Sequence, residues 1–382
     1  MTNVEALMLM DAANPATGMI LFMLGGLAGA LFALPFKKIK GWAYESYWLF
    51  YALFGLLLFP WFLAWNTVPN LTTLLKEAPL AVIARCALFG ALWGIGGVTW
   101  GLMIRYLGIG LGLAIGCGLC SATGTLIPPI VTGHMGDLVQ DGGSRVVLIG
   151  ICMSIVGIGF VGLAGKAKED ELSDEQKRQS VAEFDFKKGM LVALFSGIAS
   201  AGMNFGLQSG DALQTAAVHS GTLSKWQGMP VLLVVLMGGF VVNVAWCIWQ
   251  NIKNNTLSDY VNRRVPVAKN IIFAGIAGVI WALQFVFQKI GEPAMGELAY
   301  IGFGIVMGSA ILFSTTIGLF LGEWKCVTNR TLLFLALGIL TLLASFTIIS
   351  VGNRIKTQSQ LPDVKAERAI QDAVKAAEEM KP

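Results

Sequence analysis

The residues of this 382-residue chain that can do chemistry are few, and they stand inside long apolar runs. Trp93, Thr99 and Trp100 lie in one run. Asn204 and Gln208 lie in a second, with Ser200 a turn earlier, and Trp281, Gln284 and Gln288 lie in a third. Residues four apart share one face of a helix, so each amide pair is presented on one side. A primary amide offers donors and an acceptor together, and an indole offers an apolar face with one N–H donor. Amides beside indoles suit a neutral, hydroxyl-rich small molecule such as a sugar; the other use of such amides is hydrogen bonding between helices. The ionisable groups in or beside the runs are Glu45, Arg85, Arg105, Asp211, Lys289 and Glu323. A carboxylate partly withdrawn from water can take up and release a proton. Glu45, one turn ahead of an apolar core, and Asp211, just past Gln208, are the expected proton-coupling groups. The alternative for Glu45 is an interfacial ion pair with Lys37, Lys38 or Lys40.

Other chemistries are disfavoured. Catalysis within a membrane generally uses clustered His, Asp or Glu, or a nucleophile beside a base. The two histidines, His134 and His219, are far apart and the acids are isolated, so an enzyme with catalytic residues is not expected. Cys117 and Cys120 spell C-x-x-C, yet no His or acid stands near them, so neither a metal site nor a redox pair is expected. No cofactor is expected beyond protons as coupling ion. A net charge of +4 is too small to argue for a nucleic-acid partner, and the oligomeric state is not legible.

The elements that position these residues follow from composition. Hydrophobic residues make up 55% of the chain and charged residues 13%, about half the roughly 25% of a soluble protein; mean hydropathy is +0.69. The partner of most of the surface is therefore lipid. A spanning helix needs about 20 predominantly apolar residues, and the runs that qualify are 18–35, 46–65, 79–104, 106–131, 146–165, 189–208, 229–250, 270–289, 298–321 and 331–352. The first lacks a positively charged leader, so it reads as a mature span rather than a cleaved signal. The polar segment 166–188 divides the spans five and five. The expected organisation is a first five-helix repeat at 1–165, a charged cytoplasmic linker at 166–188, a second repeat at 189–352 and an amphipathic tail at 353–382, helical after Asp363. An odd helix count inverts the second half if both share a fold. Sixteen Lys and Arg fall in or beside the odd-numbered loops and five beside the even ones, which places the odd loops in the cytoplasm and both termini outside. Small residues every fourth position, Gly25, Gly29 and Ala33 in span 1 and Gly108, Gly112, Gly116, Cys120 and Gly124 in span 4, prepare close helix contacts.

The stretches PFKKIKGWAYESYW, LWGIGG, MIRYLG, GTLIPPI, EFDFKKG, SAGMNF, WALQF and GEW resemble those of the L-rhamnose–proton symporter family, in family order from about residue 25 to 350. The resemblance implies an all-α integral membrane protein of the drug/metabolite transporter superfamily, with ten transmembrane helices in two inverted five-helix repeats. It implies a bacterial inner-membrane secondary transporter that moves a 6-deoxyhexose inward with protons. Glu45, Trp93, Arg105, Asn204, Trp281 and Gln284 lie within matching segments. LWGIGGVTWG departs from the family pattern, where a more polar run is expected, so the particular sugar stays open. The alternative on the same fold is an exporter of drugs or metabolites.

Overall fold

A computed structural model gives the architecture. The structure describes residues 15–131, 142–173, 175, 183–262, 264–295 and 302–379; at residues 15, 121, 124–131, 201, 204, 303, 353 and 356–379 it describes the backbone alone. Every regular element among these residues is helical. In chain order they are α1 (Pro15–Leu31), α2 (Tyr44–Thr67), α3 (Leu71–Glu77), α4 (Leu80–Leu107), α5 (Ile109–Val131) and α6 (Gly142–Glu171). After these come α7 (Phe186–Gln208), α8 (Asp211–His219), α9 (Met229–Lys253), α10 (Val267–Met295), α11 (Gly302–Phe320) and α12 (Asn329–Glu379). Eight segments, built on α1, α2, α4, α6, α7, α9, α10 and α12, are long and apolar enough to cross a membrane. Within α5 and α11 lie two shorter apolar helices, Ile109–Cys120 and Gly304–Phe320. Large apolar side chains face outward all along the bundle, among them Phe62, Leu80, Leu88, Leu191, Val241 and Phe320. A surface of this kind belongs in hydrocarbon, and the chain is a multi-pass membrane protein.

Local sequence explains where the helices begin, bend and end. Pro60 lacks the N–H that an α-helix needs there, and the turn just ahead of it, Leu53–Leu58, widens to a π-helix. The break between α4 and α5 is the single residue Gly108 at φ 85°, a conformation that favours glycine. On α6 the helix continues past residue 165 to Glu171, supported on its outer face by Lys166 bonding Glu169 at 3.1 Å and Asp170 at 2.7 Å. Asp185 caps α7 by accepting the Lys188 N–H at 3.0 Å, and that bond holds its carboxyl below the usual aspartate range. The tail does not start afresh at Asp363: α12 runs unbroken from Asn329 to Glu379, through Pro362.

In the bundle α1 packs on α10 and α11, while α7 packs on α4 and α5. Helix α2 packs on α9 and α10, and α9 also packs on α4. Other close pairs are α5 with α11, α5 with α6 and α6 with α12. Several crossings bring backbone against backbone, two of them at α10–α2 and α9–α4. A Cβ on Gly278 of α10 would strike the Tyr51 carbonyl and lie 2.8 Å from the Gly55 nitrogen of α2. One on Gly238 of α9 would strike the Ala87 carbonyl and lie 3.0 Å from the Ala91 nitrogen of α4. Asn243 ties the centre together: it accepts the Trp48 indole N–H at 2.8 Å and donates to the Gly94 and Gly239 carbonyls at 3.1 and 2.8 Å. Both of its N–H donors and its carbonyl oxygen are thus engaged inside the protein.

Candidate functional site

A cavity lies between α1, α4, α5, α7, α10 and α11, with about 720 Å³ of atom-free space, its open mouth included. Its walls are aromatic and apolar. Trp93 meets Phe285 edge-on with centroids 5.6 Å apart, and Phe285 in turn meets Trp281 edge-on at 5.7 Å. Trp281 lies 6.4 Å from Trp100. Met203, Leu207, Leu113 and Met307 fill the rest, and Gly29 and Gly97 leave space where a side chain would intrude. At Gly29 the reason is direct, since a Cβ there would land on Gln284 Oε1.

Into this wall project hydrogen-bonding groups that the protein does not use. Gln284 is 7% exposed, Ser200 is 7% exposed and Gln288 is half-buried; among the described residues none of their side chains has a hydrogen-bond partner. The Trp100 indole N–H is buried and likewise unpartnered. A native interior seldom leaves such groups unpaired. Four of them around one cavity amount to a set of donors and acceptors waiting for a polar ligand, with indole faces for its apolar side.

The site residues named from the sequence separate in space. Trp93, Trp100, Trp281, Gln284 and Gln288 line the cavity together. Thr99 points elsewhere and donates to its own helix, to Ile95 and Gly96 carbonyls at 3.1 and 2.9 Å. Gln208 is exposed at the last residue of α7, Asp211 is exposed at the first residue of α8, and the side chain of Asn204 lies outside the described residues. Glu45 is buried at 6% exposure, and its carboxylate accepts Asn254 Nδ2 at 2.9 Å and Thr256 Oγ1 at 3.0 Å. Its partners are thus neutral groups beyond the end of α9 and not Lys37, Lys38 or Lys40. Cys117 and Cys120, expected as packing residues, are free thiols in the cavity wall; the four-residue stripe of span 4 was the signal that this face had to be smooth. Among the described residues no group of three or more His, Cys, Asp or Glu could hold a metal.

Behind Trp281 in the cavity wall, rings from the stretch 32–51 form a continuous aromatic cluster. Phe32 touches Trp281 at 4.5 Å, Trp48 lies 4.2 Å from Tyr51 and 5.0 Å from Tyr44, and Phe36 lies 5.8 Å from Trp48. The same stretch carries Lys37, Lys38 and Lys40.

Comparison with known proteins agrees with the chemistry of the cavity. Residues 10–354 match the family model of the L-rhamnose-proton symport protein (RhaT). The chain is 31% identical over 339 residues to the L-rhamnose-proton symporter of Yersinia pestis (strain Pestoides F), an alignment covering 88% of this chain and 97% of that one. To the L-rhamnose-proton symporter of Escherichia coli (strain ATCC 8739) it is 30% identical over the same length and shares. No solved structure matches. With more than nine-tenths of its length inside that family model, the chain belongs to the L-rhamnose-proton symport protein family, a family of transporters and not of enzymes.

Proposed function

We propose that this protein takes up L-rhamnose, or a closely related 6-deoxyhexose, together with protons across the bacterial inner membrane. The observation that carries the reading is the cavity's unspent hydrogen-bonding groups on Trp100, Ser200, Gln284 and Gln288. A sugar satisfies them with its hydroxyls, while its C–H faces rest on Trp93, Trp281 and Phe285. An exporter of apolar drugs would desolvate the same groups and leave them unpaired, at a cost of about 1–3 kcal/mol each.

Transport in this proposal proceeds by alternating access between two inverted halves of five spans, α1, α2, α4, α5 and α6 against α7, α9, α10, α11 and α12. What supports the division is the pattern of helix contacts. Exchanging each helix for the one five spans later turns α1 on α10 into α7 on α4, α2 on α10 into α9 on α4, and α1 on α11 into α7 on α5, all of which occur. The glycine crossing of α2 with α10 becomes that of α9 with α4. The Lys and Arg bias puts the odd loops in the cytoplasm and both termini in the periplasm. On that orientation the rings of Phe32, Trp48, Tyr51 and Trp281 close the cytoplasmic end, and they must separate for the sugar to leave.

A thermal-shift panel of deoxyhexoses, hexoses and pentoses on the purified protein tests the substrate. L-rhamnose or one close relative is expected to raise the melting temperature in a saturable way while glucose and ribose do not. Equal stabilisation by every sugar, or by none, contradicts the reading.

A further inference from the structure

The helices around the cavity close a ring. Helix α10 packs on α1, α1 on α11, α11 on α5, α5 on α7 and α7 on α4, and the pairs Trp93–Phe285 and Trp100–Trp281 bring α4 back to α10. The cavity's unspent hydrogen-bonding groups stand on one arc of that ring: Trp100 on α4, Ser200 on α7, and Gln284 and Gln288 on α10. The opposite arc, made by α1, α11 and α5, lines the cavity with Gly29, Met307, Ala310, Leu113, Cys117 and Cys120. Among these side chains none offers more than a thiol, a weak hydrogen-bonding group. The hydroxyls close by in sequence are already engaged. Ser309 and Ser314, beside Ala310 and a turn past it, donate to carbonyls of α11 itself. Thr123, one turn past Cys120, donates to the Gly197 carbonyl of α7 at 2.7 Å.

We infer that the apolar arc of α5 and α11 receives the C6 methyl group of the sugar, and that it is the part of the site that selects 6-deoxyhexoses against hexoses. The inference rests on the sugar-uptake reading above and adds to it the residues that sense the missing oxygen. A 6-deoxyhexose has one carbon substituent on its ring, the C6 methyl, and that substituent carries no oxygen. With the hydroxyls turned to Gln284, Gln288, Ser200 and Trp100, an apolar end is what the opposite arc can take. Met307, Ala310 and Leu113 are 8%, 3% and 2% exposed, so a group placed against them loses its water. For a methyl group that loss is favourable. For a hydroxyl it is costly, because no partner there replaces the water. Met307 is unbranched and flexible, so the arc excludes the oxygen by its lack of partners more than by its size.

The test is competition binding of sugars that differ by the 6-hydroxyl alone, L-rhamnose against L-mannose and L-fucose against L-galactose, on the purified protein and its variants. The parent is expected to prefer the deoxy member of its pair by about 10- to 100-fold, the range for an apolar pocket that meets an added hydroxyl. Met307→Gln nearly keeps the length of the side chain and brings an amide to the wall. It should reduce the preference to about threefold or less, chiefly by improving the hydroxylated sugar. Met307→Leu keeps the wall apolar and should keep the preference. Both sugars are measured on one preparation, so a merely structural defect weakens both and leaves their ratio in place. Should Met307→Gln fail to fold, Leu113→Asn makes the same change from α5. Equal binding of the two members by the parent overturns the inference and leaves the uptake reading standing, as does a ratio that neither amide variant moves. Binding of no 6-deoxyhexose by the folded parent overturns the uptake reading itself.

Discussion

Replacing Gln284 by leucine weakens L-rhamnose binding by about 10- to 100-fold, read by titration of the purified protein. The estimate is that of one lost hydrogen-bonded pair to a sugar hydroxyl, about 1.4–2.8 kcal/mol, in a site that excludes water. Leucine keeps nearly the same volume against Gly29, and the amide has no internal partner to lose, so the melting temperature of the ligand-free protein should hold. That separation of binding from folding is the informative part. If Gln284 instead joined helices, the variant would melt early and bind normally. Trp100→Phe keeps a ring and removes the unpartnered N–H; the same reasoning gives a smaller loss, about 5- to 10-fold.

The second large effect concerns the fold. Gly278→Val and Gly238→Val each place a branched side chain where two helix backbones already touch. The helices must part, and nothing flexible can yield, so each costs about 3 kcal/mol, the upper end for overpacking. Both variants are expected to reach the membrane in reduced amount and to melt well below the parent in detergent. Gly159→Val and Gly162→Val supply the comparison, because a Cβ at either position meets nothing within 4 Å; they should change the melting temperature little. A uniform response across all four would mean that the crossings do not limit stability. A deficit confined to Gly278 and Gly238 supports matched crossings in the two halves.

Much of this was legible in the sequence because membrane segments announce themselves by length and polarity. Each of the eight long apolar segments covers an expected run, though several overrun it and the one that starts at Phe186 continues to His219 where the run was expected to end at 208, and the two shorter ones sit inside others. Periodicity also sorted the cavity residues, once applied strictly. Trp93 and Trp100 are seven apart and share a face, whereas Thr99 is turned about 100° from Trp100 and bonds its own helix. On α10, Trp281, Gln284 and Gln288 keep to one stripe. On α7 the stripe that reaches the cavity is Ser200, Met203 and Leu207, and Gln208 falls beside it at the helix end.

What the sequence could not reveal were the partners. Whether Asn243 is a ligand group or a structural knot depends on where Trp48 and Gly94 arrive, and neither is near it along the chain. From the sequence Glu45 could serve as a proton-coupling group or pair with its neighbouring lysines, but the approach of Asn254 and Thr256, more than 200 residues away, decides its bonding. Lys168 reads as one more charge in a polar linker until α6 is seen to run on and bury it between the rings of Phe184 and Trp324. Long-range contacts of this kind come from topology, which composition and periodicity do not encode.

The central claim is that a proton gradient drives sugar through this cavity. Its most direct test is uptake of labelled L-rhamnose into proteoliposomes, with the lumen alkaline to the medium, before and after a protonophore. The account predicts accumulation above the external concentration that collapses to simple equilibration when the gradient is dissipated, and that is lost in Gln284→Leu. Uptake that is indifferent to the protonophore, or absent for every 6-deoxyhexose while the protein is folded, would contradict it.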